Sequence, residues 1–234
     1  MAYRVEVALK GNVRDARGQR VKRRIIDDLR IPVESVATVD VFTIDAALSA
    51  EEMEKVASGP FLDPIIQKYS IGKPVGRDFD WAIEVGYKPG VTDNVGRTAR
   101  EAVEILLQKK LEANEGVYTS VLYLIEGKLT REQAERIVTG LLANTLIQRF
   151  AIKDRSSWDP EIGMGLFIPR VTGNKEGRVI PINLKGSEEE LARLSSERVL
   201  ALSLKEMKAL RDYSEDQRIR EDRKRVGQKE DMTD

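Results

Sequence analysis

Two stretches of this chain, about eighty residues apart, carry nearly the same pattern of side chains, and that repeat constrains the fold more than any other feature. Val5-Glu6-Val7-Ala8-Leu9-Lys10, followed by Val13, Asp15 and Gly18, returns as Ile83-Glu84-Val85-Gly86-Tyr87-Lys88, followed by Val91, Asp93 and Gly96. Ile65-Ile66-Gln67-Lys68-Tyr69-Ser70-Ile71 returns as Leu146-Ile147-Gln148-Arg149-Phe150-Ala151-Ile152. The offset drifts from 78 to 81, so the insertions fall between elements. A period of this length is a complete supersecondary unit rather than one turn of a solenoid. Duplicated units pack on each other by the self-complementary logic of a twofold dimer, so the expected body is a pseudo-dimer of two small units.

Composition limits the chemistry. The chain has neither cysteine nor histidine, which removes disulfides, thiolate nucleophiles, ordinary zinc sites and imidazole bases. Ser-His-Asp and Cys-His arrangements are impossible within it. Lys plus Arg and Asp plus Glu balance at 39 each in 234 residues, so no net field favours nucleic acid or an anionic membrane. No apolar run approaches the roughly 20 residues that span a bilayer, and Met1-Ala2-Tyr3-Arg4 leads into a strand pattern without an apolar signal region. The expectation is a cytoplasmic protein, and what chemistry remains open to it is that of carboxylate, lysine or tyrosine, or none, with none the simpler reading.

Each repeat reads strand, helix, strand, strand, helix, strand, an α+β unit with an antiparallel sheet. In the first, Val5, Val7 and Leu9 alternate with Arg4, Glu6 and Lys10, the period of a half-buried strand. A helix from about Arg17 to Leu29 places Val21, Ile25 and Leu29 on one stripe and stops before Pro32. Val36 to Ile44 supplies the central strands, and Ser49-Ala50-Glu51-Glu52 is a capping box opening a second helix. In the second repeat Ala99, Ala102, Val103 and Leu106 mark a helix ending near Leu111. Thr130 to Gln133 is the matching capping box, followed by Ala134, Ile137, Val138, Leu141 and Leu142 at helical spacing. Val121-Leu122-Tyr123-Leu124-Ile125 does not alternate, so this strand is expected to be covered on both faces, by helices on one and by the other repeat or a partner on the second.

Organisation along the chain follows: a first unit over 1–76, a second over 77–155, a loop-rich segment over 156–186 and a helical, charged linker over 187–234. Val171-Thr172-Gly173-Asn174-Lys175-Glu176-Gly177 reads as a hairpin turn, since its glycines lack the spacing of a phosphate-cradling loop. Ser187 to Glu190 caps a short helix and Ser203 to about Tyr213 forms another. The charged tail from Ser214 reads as a solvated helix face or a disordered segment that runs on into further sequence.

Several residues are candidates for function. Lys10 and Lys88 close strands just before helix N-termini, a place that suits an anion and equally suits solubilising an edge. Asp15 and Asp93 are expected to cap the following helices. Arg20-Val21-Lys22-Arg23-Arg24 could meet a phosphate, but Asp27 and Asp28 follow within a turn, and the wet face of a helix is the simpler reading. Leu141-Leu142-Ala143-Asn144-Thr145-Leu146-Ile147 is the most distinctive string; its Asn144 is suited to a left-handed helix cap.

Two of these strings carry a resemblance. Val85-Gly86-Tyr87-Lys88-Pro89-Gly90-Val91-Thr92-Asp93 with Gly96, together with Leu141 to Ile147, resembles the small PurS subunit of phosphoribosylformylglycinamidine synthase. Leu202 to Tyr213 resembles the linker into the synthetase domain of that family's large PurL chain. The resemblance implies a ligase of purine biosynthesis that uses ATP and glutamine, in which PurS-like units pair and join glutaminase to synthetase so that ammonia passes between them. It implies no cofactor in this chain, with ATP and magnesium held by the synthetase, and no catalytic residue here. Partner-contact candidates are Lys88, Asp93, Asn144 and Thr145; anion-binding candidates are Lys10 and Lys88. The first repeat departs from the signature, with Leu62-Asp63-Pro64 in place of Ala143-Asn144-Thr145, which makes the two ends of the pseudo-dimer inequivalent. The alternative is a regulatory module that binds a small metabolite between the repeats, with both lysines on the anion. A single-stranded RNA platform fits poorly, because Trp81, Tyr87 and Tyr123 are better explained as packing.

Overall fold

The computed structural model describes residues 2–171, 181–228 and Met232. Two compact units divide it, Met1–Val171 and Thr172–Asp234. The first contains both repeats in one sheet. Its strands are β1 (Ala2–Leu9), β2 (Ser35–Asp45), β3 (Gln67–Ile71), β4 (Trp81–Tyr87), β5 (Gly116–Glu126) and β6 (Gln148–Asp154). They lie in the order β3-β1-β2-β5-β4-β6, with every neighbour antiparallel. Its helices are α1 (Ala16–Leu29), α2 (Ala50–Ser58), α3 (Asn94–Leu107) and α4 (Arg131–Ile137).

The expected pair of central strands in each repeat is one long strand. β2 and β5 pair without interruption from Ser35 opposite Glu126 to Asp45 opposite Gly116, because neither contains a turn residue and Asp40 stays in the ladder, its carboxylate taken up by Arg17 at 2.8 Å. The ladder places the pseudo-twofold axis at its centre: Thr38 and Thr119 play the same part in the two halves, and two residues further on the equivalent positions Asp40 and Val121 pair directly.

The halves do not bury separate cores. One cluster joins Val5 and Val7 of β1 to Met53 and Val56 of α2 and to Ala99 and Val103 of α3. Another joins Ile25 of α1 and Val36 of β2 to Ile83 and Val85 of β4 and Ala134 and Ile137 of α4. Each half's helices therefore complete a core with the other half. Burial of these aliphatics contributes of the order of 25 cal/mol per Å² removed from water, and the share buried across the boundary is lost if the halves part.

On the opposite face a third cluster forms from Val39, Val41, Leu122 and Leu124, covered by Val75, Phe79, Trp158 and Met164. The non-alternating strand is thus covered on both faces, as its sequence requires. The second face is covered by the two segments that follow the edge strands: Val75, from the end of the first repeat, and Phe79 after β3, and Trp158 and Met164 after β6.

Helix boundaries follow local chemistry. Asp15 accepts from Gly18 N at 2.7 Å and, through its second oxygen, from the backbone N–H and hydroxyl of Thr38. Asp93 does the same with Gly96 and Thr119. Each helix start is thereby pressed onto its strand, so closely that a Cβ at Gly18 would lie 2.1 Å from the Val36 carbonyl oxygen and one at Gly96 2.4 Å from that of Val117. The capping boxes at Ser49 and Thr130 both form. α1 ends at Leu29 through Arg30 in the left-handed conformation, two residues ahead of Pro32. α3 ends at Leu107 rather than near Leu111, with Gln108 left-handed; Leu111 turns back into the core beyond it. α4 continues as a π turn over Val138–Leu142 and Ala143 is extended, so Asn144 is not its left-handed cap.

The second unit holds α5 (Glu188–Glu197), α6 (Leu204–Glu215) and α7 (Gln217–Arg225). Capping boxes at Ser187 and Ser203 open the first two, and Leu184, Leu191 and Met207 form the core. α7 is the charged tail; it buries no residue. Of the loop-rich stretch expected at 156–186, residues up to Val171 belong to the first unit. Beyond Val171 the hairpin turn expected to end at Gly177 lies outside the described residues, as do Lys229 to Asp234 apart from Met232. Among the described residues no helix is long and apolar enough to cross a membrane.

One ionic cluster ties the end of α3 to the loop that follows. The Lys110 ammonium, then the Leu111 N–H and Arg100 guanidinium, hold the Glu104 carboxyl down to about 2. A carboxylate with a folded pKa below its unfolded value of about 4.3 stabilises fully above that value. Its contribution fades as pH falls toward 2. Thermal unfolding of the protein and of Glu104→Gln should therefore differ at neutral pH and converge between about pH 4.5 and 2; a gap that persists unchanged to pH 2 would contradict this assignment.

Candidate interaction site

The recurring loops before the two edge strands have the same architecture. Asp63 accepts from Ile65 N, and Asn144 from Leu146 N, through their side-chain oxygens at 2.9 and 3.1 Å. Gln67 and Gln148 each return a side-chain oxygen to the backbone N–H of that Asp63 or Asn144, both at 2.8 Å. An Asx turn of this kind needs only a short side chain with an acceptor oxygen, which aspartate and asparagine supply equally. The departure of the first repeat from the Asn-Thr signature thus changes no loop geometry.

A lysine locks each loop onto its neighbouring strand. Lys10 Nζ donates to the Pro64 and Ile65 carbonyls at 2.6 and 3.0 Å, and Lys88 Nζ to the Thr145 carbonyl at 2.5 Å. The turns behind them close in the same way, from Val13 N to the Lys10 carbonyl and from Val91 N to that of Lys88. Asp93, another of the four partner-contact candidates, is occupied in joining α3 to β5. The structure brings Lys88, Asn144 and Thr145 together, and Lys10 with Asp63 and Pro64 as their counterpart. It does not bring Lys10 to Lys88: β1 and β4 run in opposite directions, so the lysines stand at opposite ends of the sheet.

Each locked loop lifts aliphatic side chains into solvent. Ile65 is 81% exposed and Leu146 84%, with Ile66 and Ile147 partly exposed beside them. Apolar side chains held out on a rigid loop are suited to contact with another surface. The loops occupy diagonally opposite corners of the sheet.

Between the corners lies a group of charges missed by the alternation reading. Arg4 and Glu6, expected on a wet face, are 6% and 1% exposed, and Glu84 4%. Arg4 Nε donates to Glu6 Oε1 at 2.8 Å and its Nη2 lies 2.8 Å from Glu84 Oε2, charge pairing without hydrogen-bond alignment at the second contact. Ser120 Oγ donates to Glu84, Val75 N to Glu6, and Arg149 approaches Glu84 at 3.6 Å while lying over the Phe167 ring. Burial alone would lower the Arg4 pKa; Glu84 and Glu6 outweigh it and raise the net value. Burial lowers that of Arg149, with Glu84 opposing only in part. The one signal in the sequence was a glutamate recurring at the same place in two mainly apolar strands.

The architecture is that of a paired α+β unit: one antiparallel sheet, helices on one face, and the same locked loop at either end. Comparison with known families narrows this. The model of the PurS family, described as phosphoribosylformylglycinamidine (FGAM) synthase, matches residues 2–73, the span from β1 to just past β3. The N-terminal part of the chain is a PurS-like unit. No curated protein matches the chain.

Two outcomes follow. Arg4→Met leaves Glu6 and Glu84 buried without their shared cation and should cost about 3–5 kcal/mol in chemical denaturation. The triple variant Arg4→Met/Glu6→Gln/Glu84→Gln should regain most of that loss. Lys88→Met should leave global stability within about 1 kcal/mol but speed amide hydrogen exchange at Leu146 and Gln148; exchange as slow as in the parent protein would show that the lysine does not lock the loop.

Proposed function

We propose that the chain is a non-catalytic bridging part of FGAM synthase, in which it joins the glutaminase and the synthetase that together carry out glutamine- and ATP-dependent amidation in purine biosynthesis. One observation carries the reading: the segment matched by the PurS model is fused, through shared cores, to a second half of the same connectivity, and the same loop is displayed at two opposite corners. A rigid body with two such corners can hold two partners apart at a fixed distance. The second half, 77–155, is on this reading a further PurS-like unit. Passage of ammonia between the partners' sites, and ATP and magnesium held by the synthetase, belong to the same proposal and follow from the family likeness. The alternative, a metabolite site between the halves served by both anion-binding lysines, is disfavoured because Lys10 and Lys88 face opposite ends of the sheet and already donate to carbonyls.

The contact is tested at the loop tips. Asn144→Asp is a poor probe, since Asp63 already serves in that position. Leu146→Asp and Ile65→Asp place a charge on exposed tips without touching either core. Pull-down of synthetase and glutaminase from native extract, with glutamine-dependent ATP hydrolysis on formylglycinamide ribonucleotide as readout, should fall about tenfold or more for at least one of them. Circular dichroism should be unchanged. Full recovery of both partners by the double variant would sink the bridging role of these corners.

A further inference from the structure

The two halves differ at one corner. The start of β2 extends past the end of β1, and the gap between the β1–α1 turn, α1 and the start of β2 is a groove of about 540 Å³. Val13, Ile26 and Ala37 form an apolar floor, and Arg14, Arg23 and Arg77 reach it from three different segments. Among the described residues Arg23 and Arg77 have no hydrogen-bond or ion-pair partner. Arg14 gives only Nε, to Gln19 at 2.7 Å. Lys22 also lines the groove and bonds the Glu34 carbonyl. Asp15 adds no opposing surface charge, since both its oxygens accept from α1 and β2. Glu34 is the one exposed acid of the lining.

The equivalent corner of the second half is filled by the chain itself. Tyr118 stands in the place of Ala37, Phe167 and Pro169 close over it, and Arg149 lies 3.8 Å above the Phe167 ring. A cavity of only about 30 Å³ remains. The first half leaves the space beside Ala37 open and brings Arg23 and Arg77 to it, neither with an ion-pair partner among the described residues.

We propose that this groove binds a phosphate ester of a small flat molecule, the phosphate on Arg23 and Arg77 and the organic body on Val13, Ile26 and Ala37. Guanidinium groups favour phosphate through paired, charge-assisted hydrogen bonds. The apolar floor gives no advantage to a free inorganic anion. A nucleic-acid strand fits less well, because Asp27, Asp28 and Glu34 interrupt any track of cations along α1 and beyond it. The proposal concerns the chain alone and goes beyond its place in an assembly.

Equilibrium dialysis of the full chain against labelled AMP, with adenosine and inorganic phosphate as separate probes, tests it without any partner. AMP should bind, and adenosine and phosphate should each bind at least about tenfold more weakly. Arg23→Ala and Arg77→Ala should each weaken AMP binding about tenfold, as expected for loss of a charge-assisted contact. Both side chains are exposed, and an unchanged melting curve will show that each variant folds. Arg20→Ala, on α1 outside the groove, should bind as the parent does. No retention of AMP, retention unaffected by either arginine variant, or phosphate binding as tightly as AMP would each overturn the proposal.

Discussion

The long ladder between β2 and β5 is the interaction on which the rest of the first unit depends. It relates the two halves by a pseudo-twofold axis at the Asp40–Val121 pair, and so fixes where every helix falls. With that register, α1 reaches α4 and α2 reaches α3 across the boundary between repeats. A half on its own would retain its strands but expose one wall of each core. The PurS-like segment that a family model recognises over 2–73 is therefore only part of a folding unit in this chain. The asparate forks at Asp15 and Asp93 serve the same register, since each joins a helix start to a fixed residue of the central pair.

The buried charges work against that economy of apolar packing. Two arginines and two glutamates on the sheet face opposite the helices balance one another, but each is costly to bury and none can be removed singly without leaving a partner unpaired. Arg4 is shared between Glu6 of the first half and Glu84 of the second, so the pairing reports on whether the halves are in register. A slip of one residue in β2 against β5 would put Arg4 and Glu6 on the face opposite Glu84 and break the shared pairing. Polar groups that tolerate one arrangement only are a means of specifying it.

Much of this was legible in the sequence, and the exceptions have identifiable causes. Both capping boxes and the helices that follow them were readable because their signals are local, and the absence of alternation in Val121 to Ile125 correctly required two covered faces. The central strand was read as two because length alone does not reveal continuous pairing. Arg4 and Glu6 looked like a wet face because alternation of polar and apolar residues does not distinguish water from a neutralising partner eighty residues away; only the return of Glu6 as Glu84 hinted at it. Asp63 and Asn144 looked different in a one-letter comparison but share the acceptor oxygen that builds the loop. The groove was beyond reach, since Arg23 and Arg77 come together only once the segment after β3 has crossed the sheet.

A homodimer of identical subunits must present the same corner twice, and any residue that improves one copy alters the other. A single chain carrying both halves is free of that restriction. Tyr118 with Phe167 has closed one corner as a structural joint, while Ala37 leaves its counterpart open and charged. Fusion has turned a rotational axis into a direction: the body now has a front and a back, and whatever assembles on it can tell one from the other.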